Sequence, residues 1–222
     1  LIDTGQMGIL KGPIMGQPDT FVVDIEGKGG HAATPQQCQD ALLAGAQMVT
    51  ALQSIVSRNL DPLDSAVLSV TEFHCGSAHN VISARAKVGG TIRSFRKEAG
   101  ALVRKRLQEI CQGVAQAMGV EASVRIDEGY PVVINEAQSC DAAVRALDGK
   151  IDFAADTQPV LGGEDFAYYL QEIPGAFLFL GNRDLEQGIH FFCHHPKFQV
   201  DDNAMQIGVR AWLELACDKT LL

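Results

Sequence analysis

The stretch that organises this sequence is Thr20-Phe21-Val22-Val23-Asp24-Ile25-Glu26-Gly27. It is rich in β-branched and aromatic residues and ends at a glycine, a pattern typical of a β-strand that leads into a turn. The next segment, Asp40 to Arg58, is predicted to be a helix that Asp61-Pro62 stops. Its apolar residues recur at spacings of three and four, which predicts one apolar stripe on the helix surface: Leu42, Ala46, Val49, Leu52 and Val56.

The following segments continue this alternation of strand and helix. Strands are predicted for Ala66 to Phe73, Arg85 to Phe95 and Val120 to Ile126, and a second helix for Ala101 to Met118. Gly119 is a typical helix end, because glycine tolerates the left-handed conformation. The order strand, helix, strand, strand, helix, strand is the split βαβ arrangement, which forms a four-stranded antiparallel sheet with two helices on one face. The fold class is therefore α/β, with an α+β unit of this ferredoxin-like kind.

The segments on either side of this unit have different patterns. Residues 1–17 are rich in glycine and indicate loop and short strand, whereas residues 131–222 predict one buried strand, Ala176 to Leu180, among three helices. These helices are Ser139 to Leu147, Phe166 to Gln171 and Asp202 to Ala216. A lone strand has no ladder partner, so this part cannot form a sheet by itself. We therefore predict three segments: 1–17, 18–130 and 131–222.

The closing helix is predicted to carry one apolar stripe and an acidic cap. Either Asp201 or Asp202 can cap its first turn. The stripe consists of Met205, Val209, Trp212 and Ala216.

Composition limits the class of partner and the compartment. The 222 residues are 46% hydrophobic and 20% charged, with a formal net charge of -9, which favours buried cores and disfavours nucleic acid or an anionic membrane as a partner. The sequence has no apolar run of membrane-spanning length and no pattern typical of a signal peptide. Its six cysteines are widely spread, so we expect free thiols and a cytoplasmic location.

Metal-ligand residue types are concentrated in the final third of the chain. His190, Cys193, His194 and His195 follow Gly162-Gly163-Glu164-Asp165 within about 35 residues, and these are residue types that bind transition metals. The proline at 196 favours extended geometry before it, so His194 and His195 are expected to point to opposite sides. A single histidine on an apolar segment is more often structural than a metal ligand, and the residue types alone leave both interpretations open.

Five motifs occur in an order that resembles one family. They are Gly27-Lys28-Gly29-Gly30-His31-Ala32-Ala33-Thr34-Pro35, Asn80-Val81-Ile82, Gly90-Thr91-Ile92-Arg93-Ser94-Phe95, Gly162-Gly163-Glu164-Asp165-Phe166 and Cys193-His194-His195-Pro196-Lys197-Phe198. The chain resembles the binuclear metallo-amidohydrolases that include aminoacylase, hippurate hydrolase and the plant auxin-conjugate hydrolases. The resemblance implies that the split βαβ unit is a satellite domain that mediates dimerisation, inserted in an α/β catalytic domain.

The resemblance also implies roles for particular residues. His31 corresponds to a histidine that stabilises the oxyanion in the partner subunit's active site, and Asn80 and Arg93 to substrate-binding residues. Gly163 and Glu164 correspond to a loop that lines the substrate pocket, and His194 to a ligand of one of two divalent ions, which could be zinc, manganese, cobalt or nickel. Without the motif order, the favoured interpretation is a surface ion pair for Arg93 and turn residues for His31 and Asn80, and the Glu164-Asp165 pair could simply cap a helix.

The family's other metal ligands and its general base are absent from the sequence. The chain is therefore expected to correspond to the C-terminal half of such an enzyme. The leading hypothesis is a metal-dependent amidohydrolase that acts on N-acyl amino acids or similar small conjugates as a homodimer. The alternative is a non-catalytic dimerisation and substrate-binding module, because a catalytic zinc site needs about three protein ligands.

Overall fold

A computed structural model describes residues 1–218. The last four residues of the predicted segment 131–222 lie outside this description. The strands are β1 (Gln6–Gly8), β2 (Gly12–Met15), β3 (Gln17–Glu26), β4 (Gly30–His31), β5 (Ala66–Cys75), β6 (Val81–Ile82), β7 (Arg85–Ser94), β8 (Glu121–Asp127), β9 (Val133–Asn135), β10 (Asp152–Phe153) and β11 (Phe179–Leu180). The α-helices are α1 (Ala41–Arg58), α2 (Lys97–Met118), α3 (Ala137–Leu147), α4 (Phe166–Glu172) and α5 (Asp202–Cys217).

The chain divides into two compact units. The first, called the sheet unit below, consists of Gly16–Val132 together with Leu161–Glu164. The second unit consists of Leu1–Met15, Val133–Val160 and the chain from Asp165 onward.

The sheet unit has the predicted split βαβ topology. Its four strands lie in the order β5-β7-β3-β8, and each neighbouring pair is antiparallel. Alternate residues of β3 are buried, among them Phe21, Val23 and Ile25, and they form one core cluster with the buried residues of α1 and α2. Since strand side chains alternate between faces, both helices cover the same face of the sheet. The predicted mixed α/β fold class is confirmed.

The ends of the two long helices show how local sequence sets their limits. The Asp40 carboxylate accepts hydrogen bonds from the backbone N–H groups of Leu42 and Leu43 and so caps α1. Gly119 ends α2 in the left-handed conformation, as predicted, with φ of 68°. The predicted start of α2 at Ala101 is wrong, because the helix begins at Lys97. Gly100 lies within the first turn, where a Cβ would stand 2.7 Å from the Ser94 hydroxyl, so this glycine allows close packing and does not break the helix.

The predicted apolar stripe of α1 is rotated relative to the observed buried face. Leu42 is 47% exposed and Val56 is 38% exposed, and of the predicted stripe only Leu52 is fully buried. This helix is apolar on more than one side, so residue spacing alone does not identify the face that the sheet covers. The buried face consists of Ala41, Ala44, Gly45, Met48, Leu52 and Ile55.

The prediction of a single strand in the C-terminal part is wrong. β1 pairs with β10 in parallel and with β11 in antiparallel orientation, and β2 pairs with β9. Strands of two to four residues are too short to show an alternating pattern, which explains why β9 and β10 were not predicted. The expected strand at 176–180 is likewise reduced to β11, Phe179–Leu180.

The closing helix α5 has the predicted cap but exposes its predicted stripe. The Asp201 carboxylate accepts a hydrogen bond from the Asn203 backbone N–H at 2.9 Å. Met205, Val209 and Trp212 are 54%, 60% and 75% exposed, whereas the small residues of the opposite side, Ala204 and Ala211, are buried.

The structure also describes the cysteines and the apolar character of the helices. All six cysteines are free thiols. Among residues 1–218 no helix is both long enough and apolar enough to span a membrane.

Candidate functional site

One group of predicted site residues lies at the end of the sheet unit where β7 begins. β4 pairs with β6 so that Gly30 faces Ile82 and His31 faces Val81. The Ala32 backbone N–H donates to the Asn80 carbonyl oxygen at 3.0 Å. This short ladder brings the backbones of His31 and Asn80 side by side, and both side chains are exposed.

The His31 ring is oriented by its own loop. The Ala33 backbone N–H lies 3.0 Å from His31 Nδ1 and donates to it. A nitrogen that accepts a hydrogen bond carries no proton, so the neutral ring carries its proton on Nε2. The exposed loop therefore presents an N–H donor to whatever approaches Nε2.

Arg93 belongs to a second group, at the opposite end of the sheet unit. Its Nε donates to the Thr91 hydroxyl at 3.1 Å, and its Nη1 donates to the Leu161 carbonyl oxygen at 3.3 Å. Sequence reasoning did not single out Thr91 or Leu161. For Thr91 a signal was available, because residues two apart on a strand share one face of the sheet.

Gly163 lies beside this arginine because of a close approach to β3. A Cβ at Gly163 would stand 2.4 Å from Pro18 Cγ, so any larger residue would displace the loop. Pro18 is the direct neighbour of Arg93 in the β3–β7 register. The segment Leu161–Glu164 is therefore placed next to Arg93 within the sheet unit. Glu164 is half-buried there, and Asp165 occupies the cap position of α4 without a side-chain capping hydrogen bond.

The two groups are separated by the length of the sheet. In the β3–β7 register, Glu26 faces Arg85 at one end and Pro18 faces Arg93 at the other. Eight residues of extended strand span roughly 26 Å. That distance exceeds the combined reach of the Arg93 and His31 side chains, so one copy of the sheet unit does not bring them to the same small ligand.

His194 lies in the second unit and adopts an unusual backbone conformation. Among the described residues it is the one non-glycine residue with positive φ, at 69°. The expectation of an extended segment with His194 and His195 on opposite sides is wrong: the backbone turns here, and the His195 N–H donates to the Phe192 carbonyl oxygen. A residue other than glycine is strained in the left-handed backbone conformation, because its Cβ crowds the backbone. Residues with such strain cluster at functional sites.

The neighbouring histidine is held differently. The His195 ring stacks on Phe191 with centroids 4.2 Å apart and an interplanar angle of 9°. Its Nδ1 also accepts a hydrogen bond from the Lys197 backbone N–H at 3.1 Å. This ring nitrogen is therefore already engaged within the loop.

The described residues do not assemble a metal centre. Within residues 1–218 no group of three or more His, Cys, Asp or Glu side chains is placed to hold a metal ion. A catalytic zinc site takes about three protein ligands and leaves one position open. His194 can contribute one ligand. The side chains of residues 1–218 by themselves therefore do not fit a binuclear metal centre.

Comparison with known proteins identifies a family and individual proteins to which this chain is similar. Residues 5–218 match the peptidase family M20/M25/M40. N-acetylcysteine deacetylase of Bacillus subtilis (strain 168) is 36% identical over 217 residues, which are 97% of this chain and 55% of that protein. N-acetyldiaminopimelate deacetylase of Brevibacillus brevis is 34% identical over 208 residues, 93% of this chain and 54% of that protein.

A solved structure shares the fold. The crystal structure of the YXEP protein of Bacillus subtilis, a dinuclear metal-binding peptidase of the M20 family, matches with a TM-score of 0.75 and 30% identity. The match covers 97% of this chain and 53% of that chain. The chain thus spans about half the length of the relatives that it matches.

Proposed function

The chain belongs to the peptidase family M20/M25/M40, and on that premise we propose that the whole protein hydrolyses the amide bond of N-acyl amino acids or similar small conjugates. The resemblance to metallo-amidohydrolases inferred from the sequence motifs is confirmed at the level of the family. Two of the relatives are named as deacetylases of N-acetylated amino acids. Such substrates carry an amide and a free carboxylate, so a site for them needs a group that recognises each.

The placement and hydrogen bonding of the Arg93 guanidinium are the observation that supports this proposal. The guanidinium is hydrogen-bonded to Thr91 and Leu161 at the end of β7, beside the Gly163–Glu164 loop. Those two bonds use two of the five N–H donors of an arginine. The remaining donors can bind a substrate carboxylate in a bidentate manner, which is the geometry that arginine favours.

His31 and Asn80 are proposed to act on a substrate bound to a second copy of the chain. A fixed Nε2–H donor of His31 is suited to stabilise the oxygen on which negative charge develops during amide hydrolysis. Because His31 and Arg93 lie at opposite ends of the sheet unit, a homodimer that places one copy's His31–Asn80 end against the other copy's Arg93 end would complete the site. The sheet unit would then be the dimerisation domain expected from the resemblance.

Divalent metal ions are part of the proposal for the whole protein. His194 is proposed as one ligand, and the other ligands are not grouped with it among residues 1–218. Zinc, manganese, cobalt and nickel all accept histidine and carboxylate ligands. We also propose a reducing, cytoplasmic setting, which the six free thiols support.

A second function is supported by the lack of a metal cluster within the described residues. The 222-residue chain would then be a dimerisation and substrate-binding module without turnover. Metal analysis of the purified chain, together with hydrolysis assays on N-acetyl- and N-benzoyl-amino acids, separates the two. Stoichiometric metal with turnover would exclude the module, whereas carboxylate binding without turnover would support it for the chain in isolation.

Substitution of Arg93 in the whole protein tests the hydrolase proposal. Arg93→Ala should raise KM for an N-acetyl amino acid by about tenfold to a hundredfold, because a hydrogen bond to a charged group contributes about 1.5–3 kcal/mol. The same substitution should change KM little for the corresponding N-acetyl amino acid amide, which lacks the carboxylate. Equal loss on both substrates would remove Arg93 from carboxylate recognition. Arg125→Ala, at an exposed arginine of β8, is the matched control.

A further inference from the structure

The hydroxyl group of Thr91 lies between a buried part of the sheet and the Arg93 guanidinium. Thr91 Oγ1 donates to the Asp19 carbonyl oxygen at 2.8 Å and accepts from Arg93 Nε at 3.1 Å. A hydroxyl has one proton to donate. Because the Thr91 hydroxyl donates this proton to the Asp19 carbonyl oxygen, it can only act as an acceptor toward Arg93. The direction of both hydrogen bonds is therefore determined.

The Asp19 backbone that anchors Thr91 is itself immobilised. Asp19 is 1% exposed, and its carboxylate receives hydrogen bonds from Arg104 at 2.7 Å, from the Gln17 amide at 2.8 Å and from the Gly129 backbone N–H at 3.1 Å. A buried carboxylate with several charge-assisted and neutral donors is a rigid point in a structure. The chain of contacts thus runs from a fixed ion pair through one hydroxyl to the guanidinium.

We infer that Thr91 is a positioning residue that occupies Arg93 Nε and so restricts carboxylate binding to the Nη1–Nη2 edge of the guanidinium. An arginine can grip a carboxylate either through Nε and Nη2 or through Nη1 and Nη2. The Thr91 bond removes the first of these edges. The Leu161 carbonyl oxygen, 3.3 Å from Nη1, fixes the rotation of the same plane from another side. The inference deepens the proposed function, because it rests on Arg93 binding the substrate carboxylate.

The chain offers a matched set of variants. Thr91→Val keeps the shape of the side chain and removes the hydroxyl, whereas Thr91→Ser keeps the hydroxyl. Thr20→Val is the control, because Thr20 is exposed and is the direct cross-strand neighbour of Thr91 on β3. Thermal unfolding of each variant shows whether the fold is retained.

The first measurement is NMR of the Arg93 side-chain Nε–H in the 222-residue chain. The wild type and Thr91→Ser should show a protected Nε–H signal, and in Thr91→Val its exchange with water should accelerate about tenfold or more. Thr20→Val should leave the signal unchanged. An Nε–H signal equally protected in wild type and Thr91→Val would overturn the inference.

The second measurement is titration with N-acetylglycine as the probe. On binding, the Nη signals of Arg93 should shift while Nε–H stays protected, and Thr91→Val should weaken binding about tenfold, with Thr91→Ser close to the wild type. Loss of Nε–H protection on binding would overturn the restriction to the Nη edge. If Thr91→Val exposes Nε–H but the wild type shows no Arg93 shift with N-acetylglycine, the positioning contact stands and the proposed carboxylate role of Arg93 fails.

Discussion

The sheet unit and the second unit differ in how they are built. The sheet unit has three strands of ten residues and one continuous core to which both long helices contribute. The second unit has strands of two to four residues and two small clusters of buried apolar residues, and its α5 exposes Met205, Val209 and Trp212. Long strands and a shared core hold side chains in defined places. The hydrogen-bonded Arg93 and the paired His31–Asn80 loops accordingly belong to the sheet unit.

Hydrogen exchange of the 222-residue chain should show the largest contrast between the units. Backbone amides of β3 and β7 should exchange at least about 100-fold more slowly than those of β1, β10 and β11, because short strands with little buried surface open at low free-energy cost. Mass spectrometry of peptides from each segment measures this directly. Equal protection in both units would show that they unfold as one cooperative structure, and it would contradict the expected difference in stability between them.

Arg104→Ala should cause the largest loss of stability in the sheet unit. It leaves the Asp19 carboxylate, which is 1% exposed, without its charged partner, and breaking a buried pair from one side costs about 3–5 kcal/mol. Arg125→Ala removes an arginine that is paired with Asp127 at the surface, where the expected loss is about 0–1 kcal/mol. Denaturant unfolding followed by circular dichroism compares the two. Similar losses would mean that water reaches Asp19.

A pair of leucine substitutions compares the units directly. Leu107 of α2 is fully buried in the core of the sheet unit, whereas Leu213 of α5 is 61% exposed. Leu107→Ala should destabilise its unit by about 2–5 kcal/mol, because it removes buried apolar surface and leaves a cavity. Leu213→Ala should change stability by less than about 0.5 kcal/mol. A large loss at Leu213 would show that another surface covers this face of α5 in solution.

The smallest expected effect is a pH dependence of the free energy of unfolding, caused by one buried thiol in the core of the sheet unit. Burial raises the pKa of the Cys111 thiol from its ordinary 9.0 to about 12. The thiol therefore ionises at a lower pH in the unfolded chain than in the folded chain. Its contribution to the free energy of unfolding is fully present below pH 9 and is lost as the pH rises toward 12. Between pH 9 and pH 10 the loss should be about 1 kcal/mol.

Denaturant unfolding of the wild type and of Cys111→Ala at pH 8, 9 and 10 checks this effect. The variant is less stable at pH 8, because it loses buried volume, but its stability should fall less steeply above pH 9. Cys193→Ala, at an exposed position, is the matched control for the removal of a thiol. An unchanged slope in Cys111→Ala would rule out this thiol as the source of the alkaline loss.

The parts of the fold that the sequence predicted are those with long, regular patterns. The alternation in β3, the cap at Asp40 and the glycine at 119 each have a local physical cause that one segment contains. The buried face of α1 was predicted wrongly, because a helix that is apolar on several sides has its rotation set by the sheet that covers it. Strands β9 and β10 are too short to carry a periodic signal.

For the candidate site, motif resemblance identified residues but not their arrangement. That Arg93 and His31 lie at opposite ends of the sheet follows from strand register, which no single motif contains. The left-handed backbone at His194 was not predictable either, since histidine favours negative φ and the following His-Pro pair favours extended geometry. The roles assigned to His31, Asn80, Arg93, Gly163, Glu164 and His194 remain predictions.

Complementation between variants of the whole protein tests the central claim, that Arg93 of one copy and His31 of another serve one substrate. Assayed with an N-acetyl amino acid at a concentration well below the wild-type KM, Arg93→Ala and His31→Ala should each retain about a tenth of wild-type activity or less when expressed alone. In a co-expressed mixture, half of the dimers are mixed and each mixed dimer regains one intact site, so about a quarter of wild-type activity should return. The control mixture of His31→Ala with Asn80→Ala should regain none, because both residues come from the same copy. No recovery in the Arg93→Ala and His31→Ala mixture, with mixed dimers shown to be present, would contradict the account.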